Sequence, residues 1–282
     1  MTIARLILCL LFALSLPAQT SPGQTSPAQT WEVHAIRYAT LKDFSVSGLV
    51  RGADRTRKMD IAMMIWLIRG QGRTILFDSG FYHEPFMKQW HPADYRNPSS
   101  ALAALNVKPE DVTDVVLSHI HWDHADGFDL FPQAKIWIQK DELEYYSGEA
   151  WQGHTRTAAD PEVLLGLVRL NTQGRVILVH GDDQELFPGI RAYTGGKHTW
   201  QSQFLGVRIA TGTVVLASDN AYLYENLETL TPIGQTLDAD SNLRALLRMR
   251  QLASRPGLIV PGHDPKVMEI FPAVAPGIVR IQ

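Results

Sequence analysis

The sequence predicts an α/β sandwich built as one domain. Val- and Ile-rich runs of strand length recur in both halves of the chain, and fewer helical segments lie between them. No Gly/Ser/Pro-rich linker interrupts the roughly 250 residues from Trp31 onwards, a length that one large domain can accommodate. Because strands dominate both halves, a sandwich fits the pattern better than a simple series of βαβ units.

The N-terminal residues are expected to lie outside this domain. Residues 1–18 combine Arg5 with an apolar run from Leu6 to Leu16, the pattern of a removable signal peptide and too short to span a bilayer. Residues 19–30 repeat Ser, Thr, Pro and Gln without charge, which predicts a tether. The sequence therefore predicts an exported protein, periplasmic or secreted, whose domain covers residues 31–282 and keeps no membrane span.

Composition excludes several classes of function. Cys9 is the only cysteine and would leave with the signal peptide, so disulfides, thiolate ligands and cysteine nucleophiles are excluded. The formal charge of −3 becomes −4 once Arg5 is removed, and no basic block is present. We therefore expect no nucleic-acid partner.

Secondary structure can be placed from apolar runs and turn residues. The predicted strands are Glu32–Tyr38, Ile61–Ile68, Thr74–Phe77, Val112–Leu117, Ile136–Ile138, Val176–Val179, Ile190–Tyr193, Gly206–Ala210, Thr213–Ala217 and Leu258–Val260. The predicted helices are Ala101–Leu105, Asp141–Trp151 and Asp238–Ser254. Gly70-Gln71-Gly72 indicates a hairpin turn rather than a nucleotide-binding loop, since no third glycine or Gly-Lys-Ser/Thr follows.

The most informative motif is a cluster of ligand-type side chains at the end of a predicted strand. His119, His121, Asp123 and His124 follow the apolar run Val115–Leu117. Side chains two apart point the same way in an extended chain, so His119 and His121 can reach one cation. The chain then turns, and Asp123 and His124 can face a second. This density of imidazole and carboxylate suits zinc or a similar divalent ion.

Three further candidates occupy the same kind of position. His198, Asp219 and His263 each follow a predicted buried strand. Any one of them alone would more often be an ordinary loop residue or cap. Their shared location at strand ends favours a single site.

The order of these motifs along the chain resembles that of the metallo-β-lactamase superfamily. The matching motifs are Phe77-Asp78-Ser79-Gly80, His119-x-His121-x-Asp123-His124, His198, Asp219 and Pro261-Gly262-His263. The resemblance implies an αββα sandwich, two mixed sheets flanked by helices, with two divalent metal ions at one edge and zinc as the expected metal. It assigns His119, His121 and His198 to the first ion, Asp123, His124 and His263 to the second, and Asp219 to both. Asp78 would hold the ligand loops or simply cap a strand.

Such a centre implies hydrolysis. Two dications supply a nucleophile from water near neutral pH and polarise a substrate carbonyl. Asp123 could then pass a proton to the leaving group.

The branch of the superfamily is indicated by residues around Asp219. Many zinc β-lactamases lack a bridging carboxylate there, so Asp219 argues against a dedicated β-lactamase. His121 stands where the oxygen-reducing branch has a carboxylate, which argues against a di-iron redox protein. The stretch from Asp219 to Tyr222 resembles the N-acyl-homoserine lactonases, which implies that Tyr222 contacts substrate and that Trp122 lines an acyl pocket. Packing is the alternative role for Tyr222. Gly196-Lys197-His198 departs from the Pro-Gly-His usual in those lactonases, and the loop after it is shorter.

The sequence thus favours a lactonase acting on a small molecule with an apolar portion. Aromatic-rich segments 81–97 and 145–157 could cover that portion, fill the core or form a homodimer contact. Rival hydrolyses on the same fold are those of a β-lactam, a thioester as in glyoxalase II, or an organophosphate ester. A non-hydrolytic protein is the other class: a mono-iron oxygenase of sulfur compounds or a metal-holding binding protein.

Overall fold

The computed structural model describes residues 30–153 and 158–282. The predicted signal peptide, residues 1–18, and residues 19–29 of the predicted tether lie outside those ranges. Thirteen strands are formed within them: β1 Glu32–Ser45, β2 Lys58–Gly70, β3 Arg73–Phe77, β4 Asp114–Val116, β5 Lys135–Gln139, β6 Val176–Val179, β7 Gln184–Phe187, β8 Ile190–Thr194, β9 Gln203–Ile209, β10 Gly212–Ser218, β11 Ile259–Pro261, β12 Ala273–Ala275 and β13 Ile278–Ile281. The α-helices are α1 Glu84–Trp90, α2 Pro98–Ala101, α3 Trp122–Ala125, α4 Lys140–Ser147, α5 Pro161–Thr172, α6 Tyr224–Thr229, α7 Ala239–Leu252 and α8 Val267–Ile270.

The strands form two mixed sheets. The first has the order β12-β13-β1-β2-β3-β4-β5-β6 and the second β11-β10-β9-β8-β7. Strands β3 to β6 run parallel to one another, whereas β1 to β3 are antiparallel. In the second sheet only the β10–β11 pair is parallel. The predicted hairpin turn is confirmed: Gln71 and Gly72 join β2 to β3 with φ of 52° and 74°, as a type I′ turn requires.

Apolar side chains define the layers. One cluster lies between the sheets and combines Trp66 and Phe77 of the first with Leu205 and Leu216 of the second. Two further clusters cover the outer faces, and in one of them Leu246 of α7 packs on the second sheet. The predicted αββα sandwich is thereby confirmed. No helix in the described part of the chain is long and apolar enough to cross a membrane.

Candidate metal centre

The topology brings the candidate ligands to one edge of the sandwich. Asp219 directly follows β10, and His263 stands two residues after β11, which runs parallel to β10. His119 and His121 follow β4, and His198 lies in the loop between β8 and β9. The histidine pair was expected on extended chain, but β4 already ends at Val116. The pair therefore sits in a loop, and His121 is the residue that precedes α3.

Seven side chains form two adjoining groups. His119, His121, His198 and Asp219 have candidate ligand atoms within 4.8 Å of one another, and so do Asp123, His124, His263 and Asp219. Six of the seven residues are buried, and Asp123 is partly exposed. These are the seven residues that the sequence singled out; their role as ligands stays a prediction.

Asp219 turns one carboxylate oxygen to each group. Its Oδ2 lies 3.2 Å from His198 Nε2 and 3.7 Å from His119 Nε2. Its Oδ1 lies 2.9 Å from His263 Nε2 and 3.2 Å from His124 Nε2. A carboxylate in this position can coordinate one cation through each oxygen.

The inner atoms of the centre are suited to metal binding. The Nε2 atoms of His119 and His124 and the Oδ1 atom of Asp219 are buried and make no hydrogen bond within the described ranges. Buried polar atoms without partners are costly and rare in folded proteins. Three of them lie around the Asp219 carboxylate, where cations would satisfy them, and the donor set of imidazole and carboxylate fits zinc or a similar divalent ion.

The outer ring nitrogens hold the imidazoles in place. His263 Nδ1 donates to the carbonyl oxygen of Ala62 at 2.9 Å, and His198 Nδ1 donates to that of Gln235 at 2.8 Å. A carbonyl oxygen can only accept, so each Nδ1 carries a proton and each Nε2 faces the centre. His121 is turned the other way, with Nδ1 only 2.9 Å from His198 Nε2.

The charge states of the imidazoles fall into two classes. Burial, aided by neighbouring imidazoles, lowers the pKa of His119 well below its ordinary value and that of His121 to about 3. Both rings are therefore neutral, which is the form that binds metal. Burial also acts to lower the pKa of His124 and His263, but the nearby carboxylates, Asp219 foremost, together outweigh it and leave both raised. The carboxylate charge that favours a proton on these rings would equally favour a cation beside them.

Asp78 organises the loops behind the ligands. Its Oδ2 accepts from His124 Nδ1 at 2.8 Å, from Ser118 Oγ at 3.0 Å and from Ser218 Oγ at 2.9 Å. Asp78 and Ser218 adopt φ of 63° and 46°, left-handed backbone that costs of order 1–3 kcal/mol in a non-glycine residue. The strain is tolerated because these hydrogen bonds fix the conformation. Of its two sequence-based alternatives, Asp78 thus takes the loop-holding one.

Two further buried residues act on the ligand loops and were not singled out from the sequence. Asn220 Oδ1 accepts from Gly196 N at 2.8 Å, next to the loop that carries His198. Glu142 accepts from backbone N–H groups beside His121 and beyond His198. Neither belongs to a metal-ligand motif, so only tertiary structure reveals them.

A small cavity opens beside the centre. It has a volume of about 100 Å³ and is lined by three groups of side chains: the centre residues His121, Asp123, Asp219 and His263; the polar residues Tyr222 and Gln235; and the apolar residues Leu41, Phe44, Leu49, Ile61, Trp90, Trp122 and Ala158. Trp122 stacks on Trp90 with ring centroids 5.3 Å apart and on Phe86 at 4.9 Å. Within segment 81–97, Trp90 thus lines the cavity, whereas Phe81 is buried in the core.

Tyr222 lines the cavity beside the centre, whereas Lys197 contacts a residue of its own loop. Tyr222 is 4% exposed, lines the cavity, and has its hydroxyl oxygen 3.4 Å from His198 Nδ1. Burial, followed by the Asp219 and Asp123 carboxylates, raises its pKa well above the ordinary value, so the phenol stays protonated. Lys197 instead donates to the carbonyl oxygen of Trp200 at 2.6 Å and lies over that indole ring. Its ammonium group stabilises its own loop.

Fold and site together define a metal-binding αββα protein. Residues 64–263 match the sequence model of the metallo-β-lactamase superfamily, and the chain belongs to this superfamily. Curated relatives include an N-acyl homoserine lactonase of Bacillus cereus, 27% identical over 176 residues, which are 61% of this chain and 64% of that protein. The N-acyl homoserine lactonase AiiB of Rhizobium rhizogenes is 28% identical over 232 residues, 74% of this chain and 82% of its own length. The chain spans 64% of the length of the Bacillus cereus relative.

Solved structures show the same fold. A quorum-quenching N-acyl homoserine lactone lactonase superposes with a TM-score of 0.72 at 21% identity, over 88% of this chain and 98% of that one. AidC, described as a dizinc quorum-quenching lactonase, superposes with a TM-score of 0.64 at 16% identity, over 91% and 95% of the two chains. At 21% and 16% sequence identity, the structural similarity establishes the fold and not the function.

Proposed function

We propose that this chain is an exported hydrolase that holds two divalent metal ions, zinc being the expected metal, and opens N-acyl-homoserine or related lactones. The observation that carries the proposal is the pair of ligand groups that share Asp219 beside an aromatic-walled cavity. The relatives named as lactonases support the choice of lactone over the other bonds cleaved on this fold.

The ligand assignment follows the two groups. His119, His121 and His198 would hold one ion, and Asp123, His124 and His263 the other. Asp219 would hold both, because each of its oxygens faces a different group. When bound, two such ions supply a nucleophile from water near neutral pH and polarise a carbonyl oxygen.

Tyr222 and Asp123 then handle hydrogen bonds and protons. The protonated Tyr222 hydroxyl can donate to the carbonyl or ring oxygen of a lactone in the cavity. Burial alone would raise the pKa of Asp123, but the neighbouring imidazoles, His124 foremost, together outweigh it and leave the pKa lowered, so the group is a carboxylate. It can accept the proton of the attacking water and return it to the ring oxygen as the carbon–oxygen bond breaks.

The apolar part of the substrate would contact the aromatic wall. Trp90 stacks on both Phe44 and Trp122, with ring centroids 6.1 Å and 5.3 Å away. Such a surface suits an aliphatic acyl chain and offers nothing to a second charged group.

Turnover by the protein lacking residues 1–30 tests the proposal, run alongside elemental analysis. The panel would contain acyl-homoserine lactones, a β-lactam, a glutathione thioester and a phosphate triester. We expect two zinc-like ions per chain and fastest cleavage of the lactones. A fully metallated protein without lactone activity would contradict the lactonase assignment, whereas one iron per chain with oxygen consumption would favour the oxygenase class.

A further inference from the structure

Glu142 lies at the junction of the two loops that carry the first group of imidazoles. It is the third residue of α4, and its side chain is fully buried. Its Oε1 accepts from the backbone N–H of Ile120 at 3.1 Å, and its Oε2 accepts from that of Gln201 at 2.6 Å. A buried carboxylate is expensive unless both oxygens are satisfied, and here the two loops satisfy one oxygen each.

The two donors flank candidate ligands. Ile120 stands between His119 and His121, and Gln201 is three residues after His198. A carboxylate is planar and rigid, so two hydrogen bonds to it set the separation of the two backbone segments. Gln203 adds direct contacts between the same segments, since its N–H donates to the Ser118 carbonyl at 2.8 Å and its side-chain amide to that of Leu117 at 2.7 Å. Glu142 is different because it ties both segments to α4.

The negative charge of the Glu142 carboxylate would also favour metal binding. Two divalent ions would bring four positive charges, whereas the ligands Asp123 and Asp219 offset only two of them. Glu142 and Asp78 are further carboxylates at 0% exposure that pack behind the ligand loops. A carboxylate held in a buried site interacts with cations more strongly than one in water.

We propose that Glu142 is a positioning residue: its carboxylate holds His198 in register with His119 and His121, and this retains the ion of the first group. The inference rests on the metal binding in the proposed function and adds a residue to it. Residues that orient metal ligands typically contribute about 10–100-fold to metal affinity.

Glu142→Gln is the direct test, because it keeps the shape but replaces one acceptor oxygen by an NH2 group that faces a backbone N–H. Glu144→Gln is the matched control: Glu144 is an exposed residue of the same helix whose carboxylate pairs with Lys140 at 2.6 Å. We expect Glu142→Gln to release one of its two ions to a chelator about 10–100-fold faster than the parent. The cobalt-substituted variant should also show an altered visible spectrum, and Glu144→Gln should match the parent in both measurements.

The outcomes separate the inference from the proposed function. A parent protein that retains no metal overturns both. A parent with two ions and a Glu142→Gln variant with parental release and spectrum overturns this inference alone. A lower unfolding temperature of metal-free Glu142→Gln with unchanged release shows a purely structural role and also overturns it. Glu142→Asp, which keeps the charge but shortens the reach, replaces Glu142→Gln if that variant does not fold, with the same expected loss and the same overturning result.

Discussion

At the scale of single residues, one carboxylate, Asp219, would both coordinate the two ions and offset their charge. It faces both ligand groups, and its charge would offset the mutual repulsion of two cations. We predict that Asp219→Ala lowers metal content to one ion or fewer. Its hydrolysis rate should fall by more than about 100-fold, the upper figure for losing a residue that merely orients a ligand. Metal analysis and initial rates check this.

Asp240→Ala is the control for that measurement, since Asp240 is an exposed carboxylate in the first turn of α7. It should keep parental metal content and rate. Two tightly held ions in the Asp219→Ala protein would refute the bridging assignment.

Tyr222 separates substrate handling from metal binding. Tyr222 lines the cavity, and a lost transition-state hydrogen bond typically costs about 10–1000-fold in rate. We predict that Tyr222→Phe keeps two metals and a normal fold while kcat/KM for lactones falls by that factor. Tyr224→Phe supplies the comparison, because the Tyr224 hydroxyl is buried without a partner in the described structure and the residue lines a different cavity. Equal lactone rates for Tyr222→Phe and the parent would reduce Tyr222 to packing.

At the scale of elements, the loop between β8 and β9 positions His198 through close backbone approaches. A Cβ at Gly196 would overlap Cα and Cβ of Asn242 in α7. Gly196→Ala should therefore push the loop away from α7, at a cost of about 1–3 kcal/mol in unfolding free energy, and weaken retention of the first ion. Denaturant unfolding and metal release measure the two effects.

Gly257→Ala is the matched substitution, because a Cβ there meets no atom within 4 Å and its backbone is not left-handed. It should leave stability and metal release near parental values. Parental behaviour of Gly196→Ala would show that the loop can shift without moving His198.

Strands were more predictable than helices for a physical reason. All ten predicted strands overlap strands of the structure, because buried strands are continuous apolar runs that the sequence displays directly. Helix α5 was not predicted. The apolar run Leu164–Val168 of α5 includes the exposed residues Leu165 and Val168, so its apolar residues do not repeat at the helical period of one buried face. The run also contains Gly166, and glycine is a poor helix former. That glycine is required by packing, since a Cβ would meet the Phe128 ring.

The candidate ligands were predictable for a similar reason, and the residues behind them were not. Histidines and aspartates at strand ends form a pattern that can be read along the chain. Glu142 and Asn220 act across separations of 59 and 24 residues. A helical glutamate usually faces solvent, so its burial against two loops follows only from how α4 packs.

At the scale of the whole molecule, we propose that the N-terminal residues determine where the protein is located rather than its chemistry. Residues 1–18 have the composition of a removable signal, and the next segment lacks the apolar bulk to form a core. We predict that exported protein begins between about Gln19 and Gln29. N-terminal sequencing checks this, and recovery of Thr2 as the first residue would contradict it.

Metal removal should destabilise the entire domain. The centre joins loops from both sheets, so ions bound there stabilise the folded chain and not the unfolded one. Each ion present at about 100 times its dissociation constant adds about 2.7 kcal/mol, and about 1 kcal/mol shifts the Tm of a domain this size by roughly 2–4 °C. Chelation should therefore lower Tm by about 5–11 °C per ion lost. Asp219→Ala, expected to hold fewer ions, should respond less to the chelator than the parent. Equal shifts in the two proteins would mean that the stabilising ions bind elsewhere.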